Sequence, residues 1–161
     1  MTTLFKRETV YVSEKNSPED VFEEVYLDLL KQGLVTVDFL ASLLEREHNY
    51  PTGLDLTPID RQLPNIAIPH TESEYVRTTR VIPIKLKTPL IFHNMIAPDD
   101  QLTVCFLFMI LNENGVEQAG VLADIMDFIN RTEKQALLSF FSSENPEEIY
   151  QFLENNFKGE K

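Results

Sequence analysis

Residues 103–111, reading TVCFLFMIL, run almost without polar interruption. The run is far too short to cross a bilayer, which takes about 20 residues. It is rich in β-branched and aromatic residues, so it reads as a strand. Apolar side chains fall at both odd and even positions, and successive strand residues point to opposite faces. Such a strand is buried on both sides, which places it at the centre of a sheet with helices over each face. The single cysteine, Cys105, lies inside this run and reads as a buried, inert thiol.

The remaining chain supplies the helices that such a strand requires. Residues 9–13 alternate, with Val10 and Val12 on one face, and suggest a first strand. Ser17, Pro18, Glu19 and Asp20 then open a helix: serine caps, proline fits the first turn and acids suit the positive helix end. Its apolar stripe is Val21, Phe22, Val25, Tyr26, Leu29 and Leu30, and Gly33 stops it. A second helix is expected from Thr36, with Phe39, Leu40, Leu43 and Leu44 inward, ending where Pro51, Thr52 and Gly53 break it. A polar loop leads to a strand at 66–68. Thr71 and Glu74 have capping-box spacing for a short helical turn. Residues 80–87 are expected to form an edge or bulged strand, because Pro83 cannot donate to a ladder. A turn is expected from 88, leading to a short extended piece at 90–92. After the apolar strand comes a helix carrying Ala119, Leu122, Ile125, Met126 and Ile129 on one face. Helix starts at 132–135 and 145–148 predict two short C-terminal helices, and the polar tail after Phe157 is expected to fray. Together these elements predict an α/β architecture, a single domain over 1–161, with helices enclosing a short sheet.

A length of 161 residues suits one domain, and 43% hydrophobic residues are enough for a core. The formal net charge of −12 opposes nucleic-acid phosphate and anionic membrane as partners, and could steer the chain toward a basic protein patch. One cysteine allows no internal disulfide, and no signal-like apolar core follows the N-terminus, so a soluble cytoplasmic protein is the simplest expectation.

Few kinds of chemistry are open to such a sequence. The three histidines, His48, His70 and His93, are not paired at ligand spacing, so no metal is expected. There is no nucleophile elbow and no glycine-rich phosphate loop, and with them no cofactor is expected. His70 follows the strand and Pro69, beside the hydroxyls of Thr71 and Ser73. It is either a surface histidine in a turn or a nucleophile. A neutral imidazole can attack phosphorus, provided one ring nitrogen is pinned by an acceptor and donors receive the phosphoryl oxygens. Thr71, Ser73 and backbone N–H groups after Pro69 are candidate donors, and Arg46, Arg61, Arg77 and Arg80 are candidate charge stabilisers. Glu72 and Glu74 stay ambiguous: a carboxylate can raise imidazole basicity, yet it repels an incoming phosphoryl group. His48 reads as a helix-end residue and His93 as structural.

The run Ile66-Ala67-Ile68-Pro69-His70-Thr71-Glu72 resembles the active-site signature of the fructose/mannitol-type IIA component of the bacterial phosphoenolpyruvate:sugar phosphotransferase system. Leu44-Glu45-Arg46-Glu47, Tyr50-Pro51-Thr52-Gly53-Leu54, Pro89-Leu90-Ile91-Phe92 and the helix beginning at Glu117-Gln118 extend the resemblance over nearly the whole chain. Within the family the chain is most similar to stand-alone galactitol-type IIA proteins. The resemblance implies a mixed β-sheet flanked by helices on both sides. It implies that His70 accepts a phosphoryl group from the carrier HPr and passes it to a cysteine of a IIB partner, while a membrane IIC component carries the sugar. It also implies that Arg46 assists the phosphoryl site. Mannitol-type members have a second histidine where Gln118 stands here; Gln118 is either a donor to the phosphoryl group or a surface glutamine. A regulatory IIA-like protein, phosphorylated on His70 but acting by binding other proteins, is the alternative.

Overall fold

The structure, a computed structural model, describes residues 4–115 and 118–157, with the backbone alone for residues 118 and 119. Five strands form one mixed sheet: β1 (Tyr11–Ser13), β2 (Gly53–Leu54), β3 (Asn65–Ala67), β4 (Arg80–His93) and β5 (Gln101–Leu111), in the order β1-β4-β5-β3-β2. β5 is central. It runs antiparallel to β4 and parallel to β3, while β1 is parallel to β4 and β2 antiparallel to β3.

The two-sided apolar run behaves as its composition requires. Phe106, Phe108 and Ile110 join a core with α3 (Gln118–Arg131), α4 (Lys134–Ser142) and α5 (Pro146–Asn156). Leu107, Met109 and Leu111 point the other way, into a core with α1 (Pro18–Lys31) and α2 (Phe39–Asn49). β3 alternates likewise, with Ile66 in the first core and Ala67 in the second. The mixed sheet with helices on both faces is therefore the architecture expected.

The helix caps follow local chemistry. Ser17 accepts from the N–H of Asp20 with Pro18 in the first turn, and Gly33 leaves α1 at φ +77°. Glu133 caps α4 and Asn145 caps α5, each accepting from two backbone N–H groups. The α4 cap is thus Glu133, while the Thr132 hydroxyl bonds back to the Phe128 carbonyl.

Other expectations are corrected. The first strand begins only at Tyr11, after a 3-10 turn over Arg7–Thr9. The second helix begins at Phe39, because a turn closed by Phe39 N–H on the Thr36 carbonyl precedes it. Gly53 does not merely break α2: it enters the sheet as β2. The Thr71/Glu74 capping box does not form. A 3-10 turn spans Ser73–Tyr75 with no side-chain cap, and Thr71 Oγ1 donates to the Glu72 carbonyl instead. The chain does not turn after Lys87. β4 continues to His93, and the register slips between Lys85 and Leu90 as a bulge that leaves Lys87, Thr88 and Pro89 exposed. Pro83 lies in an interior strand, opposite Phe108. β1 starts pairing only at Ile84, so on that side Pro83 has no ladder to break. Cys105 is half-buried; burial lifts its thiol pKa and the Lys85 charge opposes this. The tail beyond residue 157 lies outside the described residues.

Candidate functional site

β3 ends at Ala67, opposite Leu107, and the chain leaving it runs along the carboxyl-terminal end of the parallel strand β5. Loops there are the usual seat of ligands in α/β sheets. Pro69 ends the ladder, yet its carbonyl still accepts from the Ile110 N–H at 3.0 Å, and His70 bridges to Ile110. His70 is thereby fixed to the central strand of the sheet while remaining half-buried.

Its ring is oriented by its own strand. Nδ1 lies 2.9 Å from the Ile68 carbonyl oxygen. A carbonyl only accepts, so Nδ1 carries the proton and Nε2 keeps its lone pair. Burial is the main influence on the ring pKa and lowers it. The Ile68 carbonyl raises it, Arg46 lowers it and Glu72 raises it, with a net fall below 6.5. The ring is therefore held neutral, with Nε2 nucleophilic, as phosphorus attack requires.

Helix α2 supplies the cation. Arg46 Nη1 donates to Glu72 Oε2 at 3.0 Å, and the guanidinium carbon stands 5.1 Å from the Tyr50 ring centroid. Arg46 Nε is buried with no hydrogen-bond partner among the described residues. Ser42, one turn earlier on α2, donates from Oγ to Glu72 Oε1 at 3.3 Å. These contacts hold the Glu72 carboxyl below the usual carboxylate range: a backbone hydrogen bond comes first, then Arg46 and Ser42 act against the effect of desolvation.

Of the expected site residues, Arg46 comes near enough to His70 to act on its ring charge, and it pairs with Glu72. Thr71 is buried beside them, with its hydroxyl proton committed to the Glu72 carbonyl. Ser73 packs against the turn after β5: a Cβ on Gly115 would stand 3.1 Å from Ser73 Oγ. Asn112 Oδ1 accepts from the Asn114 and Gly115 N–H groups and so shapes this turn. Gln118 is the first residue of α3, but its side chain lies outside the described residues, as does Glu117. Arg80 is spent on Thr9. His93 bonds through Nδ1 to the Pro98 carbonyl at 2.8 Å, in keeping with a structural role.

Ser42 and Tyr50 were missed by reading the sequence for reactive groups. Their signal is position: 42 and 46 are four apart and so share one face of α2, and Tyr50 is the residue that caps its end. Among the described residues no group of three or more His, Cys, Asp or Glu could hold a metal ion, and no helix is long and apolar enough to cross a membrane. A cleft of about 490 Å³, lined by Phe22, Leu44, His48, Ile91 and His93 among others, does not include His70.

The mixed sheet with helices on both faces is the fold of IIA domains. The chain belongs to the family "Phosphoenolpyruvate-dependent sugar phosphotransferase system, EIIA 2", which it matches over residues 3–156. Solved structures share the fold. The IIA mannitol protein of Escherichia coli is 19% identical at a TM-score of 0.70, over 92% of this chain and 98% of that one. The complex of IIA-Mtl with phosphorylated IIB-Mtl from the same organism is matched at 18% identity and a TM-score of 0.70, over 94% of this chain and 97% of that one. Nitrogen regulatory protein IIA-Ntr of Neisseria meningitidis is 20% identical at a TM-score of 0.62, over 93% and 96% of the two chains. No curated protein matches the chain by sequence.

Proposed function

We propose that this protein is a cytoplasmic phosphocarrier that receives a phosphoryl group on Nε2 of His70 from phospho-HPr and delivers it to a cysteine of a IIB partner. The observation that carries this reading is the hydrogen bond from Nδ1 to the Ile68 carbonyl, which leaves Nε2 as the free nucleophile beside Arg46. In the forward step the Nε2 lone pair forms a bond to phosphorus as the N–P bond of the donor histidine breaks, and the donor keeps that electron pair. Arg46 offsets charge on the transferring oxygens. Thr71 and Ser73 follow His70 in its loop and Gln118 opens α3, and these three are the further candidates to contact the phosphoryl group. Transfer to IIB repeats the exchange with a thiolate as nucleophile and the His70 imidazole as leaving group. The neighbour solved with phosphorylated IIB supports such a partner. The membrane IIC component then completes uptake. The resemblance to galactitol-type IIA proteins favours galactitol or a related polyol or sugar as the transported compound.

The deciding experiment incubates the protein with phosphoenolpyruvate, enzyme I and HPr. An acid-labile, base-stable phosphate is expected on His70 Nε2, and His70→Ala should take up none while keeping its circular dichroism. Normal labelling of a folded His70→Ala protein would end the proposal. The likeness to IIA-Ntr favours one second reading, a regulator phosphorylated on the same histidine. Mixing labelled protein with the cognate IIB separates the two, since a regulator keeps its label.

A further inference from the structure

Glu72 is the residue of this site whose charge has the wrong sign for phosphoryl binding. It nevertheless makes the most contacts: Arg46 on one oxygen, Ser42 on the other, and the Thr71 hydroxyl on its carbonyl. Its pair with Arg46 is partly exposed, with side-chain exposures of 33% and 49%. Such pairs add little to stability, so folding alone gives weak reason for this arrangement.

The other half of the arrangement is what Arg46 leaves undone. Among the described residues only Nη1 meets the carboxylate, and Nε is buried without a partner. A buried donor of a charged group left unpaired is costly unless another acceptor arrives. A phosphoryl group offers three acceptor oxygens and two negative charges, and a guanidinium can engage it through two parallel N–H donors. Tyr50 keeps the guanidinium stacked as the acceptor changes.

We infer that Glu72 is a positioning residue that holds Arg46 in the unphosphorylated protein and yields it to the phosphoryl group on His70, thereby setting how readily that group leaves again. This rests on the proposed phosphocarrier role. Before transfer, Glu72 neutralises Arg46 and keeps the guanidinium in place beside the ring. After transfer, the carboxylate and the phosphoryl dianion compete for one cation at short range. Their repulsion raises the free energy of the phosphorylated state and favours onward transfer to IIB. No proton or covalent bond involves Glu72; the transferred group moves only between the donor nitrogen and Nε2.

The test measures the equilibrium constant for phosphoryl exchange with HPr in wild type, Glu72→Gln and Glu72→Asp. Loss of the unit charge that acts on the His70 ring should move the Glu72→Gln equilibrium roughly fivefold or more toward the phosphorylated protein. Glu72→Asp, which keeps the charge, should return toward wild type. In Glu72→Gln the His70 ring should also titrate lower by NMR, because Glu72 supports the imidazolium. A folded Glu72→Gln protein within twofold of wild type, or shifted the other way, would overturn the inference. A second measurement needs no variant: the Arg46 Nε–H resonance of wild type should shift when His70 is phosphorylated, and an unchanged resonance counts against exchange. Wild type that accepts no phosphate would instead sink the phosphocarrier reading itself.

Discussion

At His70, opposing influences act on one imidazole. Burial and the Arg46 charge disfavour the imidazolium, while the Ile68 carbonyl and Glu72 favour it, and the net effect places the ring pKa below 6.5. Two consequences have a definite sign. The nucleophilic neutral form persists as pH falls through 6.5, so the rate of phosphoryl acceptance should decline only in a more acidic range. A pH–rate profile with its acidic limb at or above 6.5 would contradict the described environment. The same depression links folding to pH: the unfolded chain binds more protons near its own pKa, so this contribution is fully present above it. It is lost as pH falls from about 6.5 through the folded pKa.

Elements carry constraints that no single residue announces. β4 is one strand of 14 residues where local signals suggest two pieces, because β5 pairs with it on both sides of the bulge. At the opposite sheet edge β2 is only two residues long, and it fits because Gly53 has no side chain: a Cβ there would stand 2.6 Å from the His93 backbone oxygen. Gly53→Ala should therefore force backbone apart and cost about 1–3 kcal/mol, seen as a lowered urea midpoint. Wild-type stability would show that this loop shifts freely. The loop is also tied to α2 by Glu47, whose carboxylate accepts from both the N–H and the hydroxyl of Thr52 at 2.9 and 2.7 Å. Buried Lys85 crosses to the other layer and donates to the Phe141 carbonyl at 2.6 Å, near the negative end of α4.

For the molecule as a whole, the site depends on two cores clamped across one central strand. Phe106 shows the scale of this: fully buried, it meets the rings of Phe108, Phe140 and Phe141 with centroids 5.0 to 5.5 Å apart. Phe106→Ala should destabilise the protein by about 3–5 kcal/mol, lowering the urea midpoint without altering which residue is phosphorylated. A loss under 1 kcal/mol would mean that the aromatic cluster collapses into the space. The net charge of −12 belongs to this scale as well, since it gives the whole molecule a negative field.

The sequence by itself determined the layers. A strand apolar at both parities needs helices on both faces, and capping residues at Ser17, Glu133 and Asn145 set helix starts by hydrogen bonds within a few residues. It also singled out His70, because Pro69 ends a strand and few other reactive groups remained. What only the tertiary structure decided were contacts between segments distant in the chain. Arg46 and Glu72 are 26 residues apart and Ser42 and Glu72 are 30, so their pairing depends on how α2 packs beside the end of β3. The strand character of Gly53 and the continuity of β4 through Pro83 have the same origin: ladder partners come from elsewhere in the chain and override local propensity. The acceptor of the His70 Nδ1 proton is local by contrast, since Ile68 precedes the ring by two residues, whereas the seating of His70 beside Ile110 comes from the sheet.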